Sequence, residues 1–174
     1  RDAASAAEQA HRRMCFEHSC EVNRVAAAPD GRIITCLRDL TVKVWRDGAC
    51  ERTIQAHTED IECVAVLPGG ARFVTGSDDR TAKLWTLDGV LERTFETGSW
   101  VWSVAALPDG VHFVVGLGNG SGEVKLYHVD GTLVHAFEGQ SRSVYGHSDT
   151  VWSVAATPDG QHIISGSGDG TVKV

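Results

Sequence analysis

Three residue types that together support nucleophilic catalysis recur along this sequence. A histidine is followed 17 or 18 residues later by threonine or serine, and an aspartate comes four residues after that. The three sets are His18, Thr35 and Asp39; His57, Thr75 and Asp79; and His147, Ser165 and Asp169. An imidazole held between a carboxylate and a hydroxyl can activate the hydroxyl as a nucleophile. Catalysis needs one exposed set, however, so the repetition favours a structural role in which the imidazole satisfies buried polar groups.

A second group of residues has the side chains of a zinc site. The potential ligands near the start of the chain are His11, Cys15, His18 and Cys20. Their spacing matches none of the usual zinc patterns, so neither a metal nor a cofactor is predicted. The five cysteines are odd in number and contain no CxxC pair, which argues against a disulfide framework. The sequence therefore favours a reducing compartment, the cytoplasm, with the nucleus as the alternative.

The acidic composition limits the class of partner. The 174 residues include 16 Lys plus Arg against 23 Asp plus Glu, a formal net charge of −7. This charge argues against nucleic acid and anionic membranes as partners. No apolar run approaches the ~20 residues that a membrane span needs. A protein partner with a basic surface is predicted instead.

The elements that would position these residues are repeated units. Pro-Asp-Gly begins at Pro29, Pro108 and Pro158, and Pro68-Gly69-Gly70 is a fourth copy of the same feature. The copies are 39, 40 and 50 residues apart. Each copy predicts a tight turn, because glycine and proline favour the backbone angles that turns require. A repeat of this length indicates a propeller or another repeat architecture.

Each unit is predicted to contain four β-strands. In the second unit an apolar segment, Ile61 to Leu67, precedes the turn, and a segment with the pair Phe73-Val74 follows it. The third segment, Ala82-Lys83-Leu84-Trp85, alternates strictly, which is typical of a half-exposed strand with lysine on its outer face. A fourth short segment ends at Phe95. Four antiparallel strands per unit make one blade of an all-β propeller.

These recurring residues resemble the WD40 repeat, and the resemblance covers roughly residues 11 to 174. In that family the His, Ser/Thr, Asp and Trp of one blade form a buried hydrogen-bonded network that ties the four strands together. The resemblance assigns the three sets above to such networks, together with Trp45 and Trp85. It implies a β-propeller of four-stranded antiparallel blades, with about four repeats near residues 11–46, 47–86, 87–128 and 129–174.

The ring is expected to be incomplete. The family usually closes with about seven blades and the architecture spans roughly four to eight, so four repeats suggest a fragment of a larger ring. A four-bladed ring, or two chains completing one ring, are the alternatives, and open blade edges would favour self-association. Residues 1–10 are alanine-rich and are expected to form a lead-in that is a short helix or disordered. His11 to Phe16 resembles the fourth strand of a blade.

Two copies depart from the pattern. The third has Thr97, Val115 and Tyr127 at the His, Ser/Thr and Trp positions. Its network is expected to be lost, so that either apolar packing alone holds this blade or it is the loosest of the four. The fourth copy has an enlargement between Phe137 and His147, in which residues 139–144 mirror residues 146–151. A tolerated surface insertion and an added contact element are the two interpretations.

The resemblance also implies a partner site on the narrow face of the ring. Family members often bind there through residues at the start of the first strand and the residue before the network aspartate. In this sequence those positions hold an acidic group in the second unit and tryptophans in the third and fourth: Asp60, Glu62 and Asp78, and Trp100, Trp102 and Trp152. Tryptophan is enriched at binding hot spots, and packing between blades is the alternative for Trp100 and Trp102.

The sequence thus predicts a non-catalytic protein-interaction scaffold of the WD40 type, without catalytic residues. Its partner is predicted to present a basic segment with an apolar anchor. The alternatives are a regulatory propeller module of a larger enzyme and a ligand-binding or catalytic propeller with a site in the central channel. The last would need convergent carboxylates or histidines outside the repeat network. Only Asp60, Glu62 and Asp78 meet that description, and all three come from one unit.

Overall fold

The computed structural model describes residues 16–139 and 146–174. Fifteen β-strands occur in these ranges, and they pair into four antiparallel sheets, called here blades 1 to 4 in chain order. The predicted all-β propeller architecture is confirmed. The expected lead-in at 1–10, most of the strand predicted from His11, and the inserted loop from Gln140 to Tyr145 lie outside the described residues. Within those ranges the chain has no helix long and apolar enough to cross a membrane.

The strands of each blade follow one another in simple order, so neighbours in sequence are neighbours in the sheet. Blade 1 contains β1 (Val22–Ala27), β2 (Ile33–Leu37), β3 (Thr41–Arg46) and β4 (Ala49–Gln55). Blade 2 contains β5 (Ile61–Val66), β6 (Arg72–Ser77), β7 (Thr81–Thr86) and β8 (Leu91–Glu96). Blade 3 contains β9 (Val101–Ala106), β10 (His112–Leu117), β11 (Val124–His128) and β12 (Leu133–Phe137). Blade 4 contains β13 (Val151–Ala156), β14 (Ile163–Ser167) and β15 (Val172–Lys173).

The Pro-Asp-Gly sequences form the turns between the first and second strands. The amide of Gly31 donates to the carbonyl of Ala28 at 3.0 Å, and the amide of Gly160 donates to that of Thr157 at 2.9 Å. Both glycines have a positive φ, +87° and +69°. A side chain with a Cβ rarely adopts this conformation, so glycine at this place lets the chain reverse tightly.

The hydrophobic core lies between the blades. Separate apolar clusters fill the three interfaces: one contains Ile34 of blade 1 with Phe73 of blade 2, the next contains Val74 with Phe113, and the third contains Val114 with Val154. A blade therefore buries both faces only where it has a neighbour on each side. Blade 1 leaves Val22 and Val25 exposed, and blade 4 leaves Val172 exposed.

The third-strand lysines differ from the prediction, which placed them on an outer face. Lys83, Lys125 and Lys173 are only partly exposed. Each ammonium group donates to a carbonyl of the loop that enters its own blade, with Nζ–O distances of 2.7 Å to Ala56, 2.8 Å to Thr97 and 2.6 Å to Gly146. The long aliphatic side chain covers apolar surface while the charged end reaches a polar group. These lysines therefore fasten the third strand to the loop that precedes the first.

Candidate partner-binding face

One backbone hydrogen bond brings the candidate binding positions together in every blade. In each blade, the donor is the amide of the residue before the network aspartate, or before its counterpart Asn119 in blade 3. The acceptor is the carbonyl of the residue before the first strand. The four bonds are Arg38 to Glu21 at 3.0 Å, Asp78 to Asp60 at 3.0 Å, Gly118 to Trp100 at 2.8 Å and Gly168 to Thr150 at 2.9 Å. The loop between the second and third strands is thereby fixed beside the start of the first strand. Both segments lie at the end of the blade opposite the Pro-Asp-Gly turns.

The network of blade 2 supports this end of the sheet. The ring of His57 lies with Nδ1 2.8 Å from Oδ2 of Asp79 and Nε2 2.7 Å from Oγ1 of Thr75. Trp85 donates from Nε1 to the same hydroxyl at 3.0 Å. Asp79 also accepts from the amide and hydroxyl of Thr81. Four segments of the blade are joined in this way.

The buried position of this network decides between its structural and catalytic interpretations. The side chain of His57 is fully buried and Thr75 has no exposed surface. Burial alone raises the pKa of Asp79, but the hydrogen bonds from His57, Thr81 and Thr58 outweigh it and hold the pKa well below its usual value. A substrate cannot reach the Thr75 hydroxyl, which is already engaged by two ring nitrogens. This set therefore acts in holding the blade together.

Blade 4 repeats the arrangement. His147 lies 3.0 Å from Asp169 and 2.8 Å from Ser165 through its two ring nitrogens. The hydrogen bond from Thr171 is the largest cause that lowers the pKa of Asp169. His147 is buried while Asp169 is almost fully buried at its side chain.

Blade 1 corrects one member of the predicted set. His18 reaches Thr35 at 2.9 Å, and Trp45 donates to the same hydroxyl at 3.0 Å. The other ring nitrogen of His18 lies 2.9 Å from the carbonyl of Phe16 instead of bonding to Asp39. Asp39 is exposed and accepts from Thr41. His18 precedes Thr35 by 17 residues, one fewer than separate the histidine from the hydroxyl residue in blades 2 and 4, so the histidine reaches blade 1 from a segment of different length.

Blade 3 replaces the network with aromatic packing. Phe113 and Tyr127 of blade 3 form a compact group with Phe95 of blade 2, with ring centroids 4.9 to 5.7 Å apart. Val115 is fully buried. Thr97 stands at the histidine position and donates its hydroxyl to nearby backbone carbonyls of Arg80 and Ser99, both at 2.7 Å. Of the two expectations for this blade, the structure shows extensive apolar packing in place of the lost network.

An acidic group forms at the tip of blade 2. Burial is the largest cause that raises the pKa of Asp78 to about 6, followed by repulsion from Glu62, Asp60 and Glu59. One carboxylate oxygen of Asp78 is buried and has no hydrogen-bond partner among the described residues. An unsatisfied buried oxygen is costly to fold. A cationic group from outside would relieve both the repulsion and the missing hydrogen bond.

The acidic group borders a cleft that has an aromatic wall. The cleft has a volume of about 480 Å³ and is lined by Thr58, Glu59, Asp78, Asp79, Arg80 and Trp100. Trp100 is partly exposed. Carboxylates next to an indole offer a cation both an ion pair and a contact with the ring face.

The other two candidate tryptophans contact each other across neighbouring blades. The rings of Trp102 and Trp152 meet edge to face with centroids 4.6 Å apart. Trp102 is partly buried because its ring lies against Gly118, where a Cβ would come within 2.2 Å of the indole. Trp152 remains 53% exposed. The structure thus brings Trp100 next to the carboxylates and Trp102 into contact with Trp152. We call these two groups together the acid–indole face.

Two features of the acid–indole face were not found from the sequence. Glu62 lies 3.8 Å from the guanidinium of Arg24 in the neighbouring blade, so part of its charge is already balanced. Glu59 contributes to the cleft although it lies outside the positions that the family resemblance marks. Spacing within one repeat carries no signal for either feature, because both depend on how loops and blades meet.

The repeated units that form the blades decide the family. A family model described as WD domain, G-beta repeat matches residues 11–46, 48–86 and 138–174. The chain belongs to the WD40 family. The matched WD40 segments leave out residues 87–137, which include the third unit with Thr97, Val115 and Tyr127.

Curated WD40-containing relatives match part of the chain. Protein groucho of Drosophila melanogaster is 30% identical over 104 residues, 58% of this chain and 14% of groucho. Apoptotic protease-activating factor 1 of Rattus norvegicus is 32% identical over 111 residues, 61% of this chain and 9% of that protein. U3 small nucleolar RNA-associated protein 15 homolog of Xenopus laevis is 28% identical over 116 residues, 64% of this chain and 22% of that protein. The chain spans less than a quarter of the length of each.

A solved structure shows the same fold. A chain in the crystal structure of the mitotic checkpoint complex superposes with a TM-score of 0.76 and 23% sequence identity. The match covers 90% of this chain and 51% of the other. This similarity supports the WD40 propeller architecture, and it concerns the fold alone.

Proposed function

We propose that this chain is a non-catalytic WD40 scaffold that binds a partner protein at the acid–indole face. Two observations carry the proposal: exposed Trp152 contacts Trp102, and Asp78 has an unsatisfied buried carboxylate oxygen in the cleft that Trp100 lines. Such a face is suited to a partner with an apolar anchor next to a basic segment. Membership of the WD40 family supports a protein partner in general terms.

The two halves of the face have different tasks in this proposal. Trp102 and Trp152 supply a contact area that loses water when the partner binds, and this kind of contact mainly sets how fast a complex dissociates. Asp60, Asp78 and Glu59 supply negative potential, which attracts a basic segment and mainly sets how fast the complex forms.

The ion pair between Arg24 and Glu62 reduces the number of carboxylates to which we assign a main role in partner binding. Glu62 was predicted to bind the partner together with Asp60 and Asp78, and its ion pair at 3.8 Å gives it a smaller share of the attraction. Surface ion pairs are weak, so a partner cation can still compete for Glu62. We therefore assign the main electrostatic role to Asp60 and Asp78.

The experiment uses a defined probe, a 12-residue peptide of lysines and arginines around one central leucine, with a peptide of the same length whose basic residues are glutamines. Binding to the intact chain is followed by surface plasmon resonance at two salt concentrations. Trp152→Ala is expected to speed dissociation about tenfold. Asp60→Lys is expected to slow association and reduce its dependence on salt.

The control for charge is Asp88→Lys. Asp88 lies at the turn between β7 and β8, at the opposite end of the same blade, and its side chain is 80% exposed. Asp88→Lys changes the net charge by the same amount as Asp60→Lys. If both lysine variants slow association equally, the overall charge and not the acid–indole face attracts the peptide. If Trp152→Ala binds as tightly as the unmodified chain, the face is not the site.

We further propose a cytoplasmic or nuclear setting. Cys20, Cys36, Cys50 and Cys63 are all free thiols in the described ranges, and burial raises the pKa of Cys36 to about 12. Unoxidised cysteines are usual in reducing compartments. One matched relative carries the name of a nucleolar RNA-associated protein, which supports keeping the nucleus as an alternative. Fluorescence microscopy of the tagged chain tests this, and an extracellular or secretory location would contradict it.

A further inference from the structure

Three arginines of blade 1 meet at the end of the blade that carries the Pro-Asp-Gly turn. Arg32 precedes β2, Arg46 ends β3 and Arg52 lies in β4. Together with Glu51 and with Asp88 from the β7–β8 turn of blade 2, they line a cleft of about 260 Å³. Arginine keeps its charge at every physiological pH. The cleft therefore collects three fixed positive charges in a chain whose net charge is −7.

The charge of Arg52 has no carboxylate partner among the described residues. Its Nε donates to the carbonyl of Asp88 at 3.2 Å, and one terminal nitrogen donates to the carbonyl of Glu51 at 2.7 Å. Carbonyl groups orient a guanidinium but leave its charge in place. The other terminal nitrogen has no hydrogen-bond partner in the described ranges. It remains available to an incoming acceptor.

Arg32 and Arg46 are held by carboxylates, one of them only loosely. Nε of Arg32 and a terminal nitrogen of Arg46 lie 2.8 Å and 3.3 Å from the same oxygen of Asp30. The second contact of Arg32 is with Asp88 at 3.6 Å, which is longer than a hydrogen bond. The Asp88 side chain is 80% exposed, so solvent weakens this ion pair. A ligand with more negative charge can displace such a carboxylate.

The other two four-stranded blades carry less fixed charge at the same positions. The strand registers equate the three arginines with Arg72, Thr86 and Arg93 in blade 2 and with His112, His128 and His135 in blade 3. Threonine is neutral, and histidine carries no fixed charge near neutral pH. Since all three blades form the same four strands, a blade does not need three arginines to fold. Their grouping in blade 1 favours a role in binding.

We propose that this cleft binds one phosphate group, presented by a phosphorylated side chain of a partner protein. Such a group carries a charge of about −1.5 to −2 near pH 7 and offers three acceptor oxygens. It would replace the carboxylate of Asp88 beside Arg32 and bond to the available nitrogen of Arg52, because guanidinium groups match phosphate oxygens in shape and charge. The cleft lies at the opposite end of the blades from the acid–indole face, so this site goes beyond the function proposed above.

The carboxylates around the cleft argue for an isolated phosphate. A nucleic acid presents a phosphate at every nucleotide, and a protein that follows such a backbone needs a continuous basic groove. Here Asp30, Glu51 and Asp88 alternate with the arginines and would repel the neighbouring phosphates. A phosphorylated residue in a polypeptide brings a single phosphate between neutral or basic neighbours. It meets the arginines without that repulsion.

The first test uses a fluorescently labelled nine-residue peptide of glycine and alanine with one central phosphoserine. The same peptide with unmodified serine is the control, and fluorescence anisotropy measures binding to the intact chain. We expect the phosphorylated peptide to bind at least about tenfold more tightly and to lose affinity as salt is added. Equal affinities of the two peptides would overturn the proposal. Inorganic phosphate should compete only weakly, and competition as strong as that of the peptide would overturn the choice of a partner protein.

The second test removes one charge from the cleft. Arg32 is only 15% exposed at its side chain, so the test uses Arg52→Gln at an exposed residue that can change without loss of the fold. The variant should bind the phosphorylated peptide about tenfold more weakly. The matched control is Arg93→Gln, because Arg93 holds the same place in β8 as Arg52 in β4. Equal losses in the two variants would show that overall charge attracts the peptide and would overturn the proposal.

The third test asks whether the cleft gains affinity when its competing carboxylate is removed. Asp88→Asn keeps the backbone carbonyl that orients Arg52 and should bind the phosphorylated peptide about threefold more tightly. Arginines with a purely structural role would not produce this gain, and weaker binding would contradict the proposal. An oligonucleotide of five thymidines should bind less tightly than the peptide, and tighter binding would overturn the choice of a protein partner. Circular dichroism spectra establish that all variants share the folded strand content.

Discussion

Blades 2 and 3 are neighbours with the same order of four strands, but different forces hold their interiors. In blade 2, polar side chains from separate segments meet in a closed set of hydrogen bonds centred on His57. In blade 3, Phe113 stacks on Tyr127, Phe95 of blade 2 packs against Tyr127 across the interface, and Val115 replaces the central hydroxyl. Both interiors are buried to the same degree at the central position, since Thr75 and Val115 each have no exposed surface.

The difference shows that the strand pattern and the network are separate requirements. The turns, the alternating third strand and the lysine that reaches back to the entering loop are present in both blades. These features are sufficient to define the sheet. The network adds a specific set of partners, and removing one of them leaves the others unsatisfied. Apolar packing lacks this dependence, so the two blades should respond differently to comparable substitutions.

The largest expected effect is the loss of the blade 2 carboxylate. Asp79→Ala leaves His57, Thr81 and the amide of Thr58 without their acceptor, and we expect it to lower the free energy of unfolding by about 2 to 3 kcal/mol. The corresponding tip of blade 3 holds Asn119, which has a φ of +56°. Asn119→Gly suits that backbone and should cost less than about 0.5 kcal/mol. Urea denaturation measures both. Equal losses would mean that the network does not support the blade.

A reciprocal swap of the central residue sharpens the comparison further. Thr75→Val keeps the shape but removes the hydroxyl that serves His57 and Trp85, so we expect a loss of about 2 kcal/mol in the free energy of unfolding. Val115→Thr places a hydroxyl among the aromatic rings of blade 3 and should cost about 1 kcal/mol, because a buried hydroxyl can still find a backbone carbonyl nearby. The measurement is again urea denaturation. A larger loss for Val115→Thr would show that blade 3 depends on its interior chemistry as strictly as blade 2.

Much of the fold could be predicted from the sequence, because turn residues and strand period are local signals. The first strand of the second unit, for example, was predicted from Ile61 to Leu67 and runs from Ile61 to Val66. The contacts between blades could not be predicted in this way. That Trp102 meets Trp152, and that Arg24 lies near Glu62, depends on the angle between neighbouring sheets. Asp39 lies away from His18 although its spacing from Thr35 equals that of Asp79 from Thr75, so this spacing alone does not predict the contact.

The smallest predicted effect is a pH-dependent change in stability at Asp78, whose counterpart in blade 3 is Gly118. Burial is the main cause that raises its pKa to about 6, whereas an aspartate in an unfolded chain has a pKa near 3.9. Between about pH 4 and pH 6 the folded protein therefore holds a proton that the unfolded chain has released. The contribution of Asp78 to stability falls as the pH rises through this range, and above it the charged carboxylate destabilises the fold.

Asparagine at this position has no charge to lose or gain. Asp78→Asn is therefore expected to be more stable than the unmodified chain at pH 7.5, by less than about 1 kcal/mol because solvent screens this partly exposed group. The gain should disappear near pH 4, and thermal unfolding at both pH values measures it. Asp88→Asn, at the far end of the blade, is the control for removing one negative charge.

The same Asp78→Asn variant should bind the basic peptide more weakly than the unmodified chain at pH 7.5. If the Asp78 carboxylate lowers stability and strengthens binding, partner binding explains why a destabilising residue stands at this position. Such a loss of stability in favour of function is frequent at binding sites. A variant that is less stable at pH 7.5, or one that binds the peptide unchanged, would contradict that account.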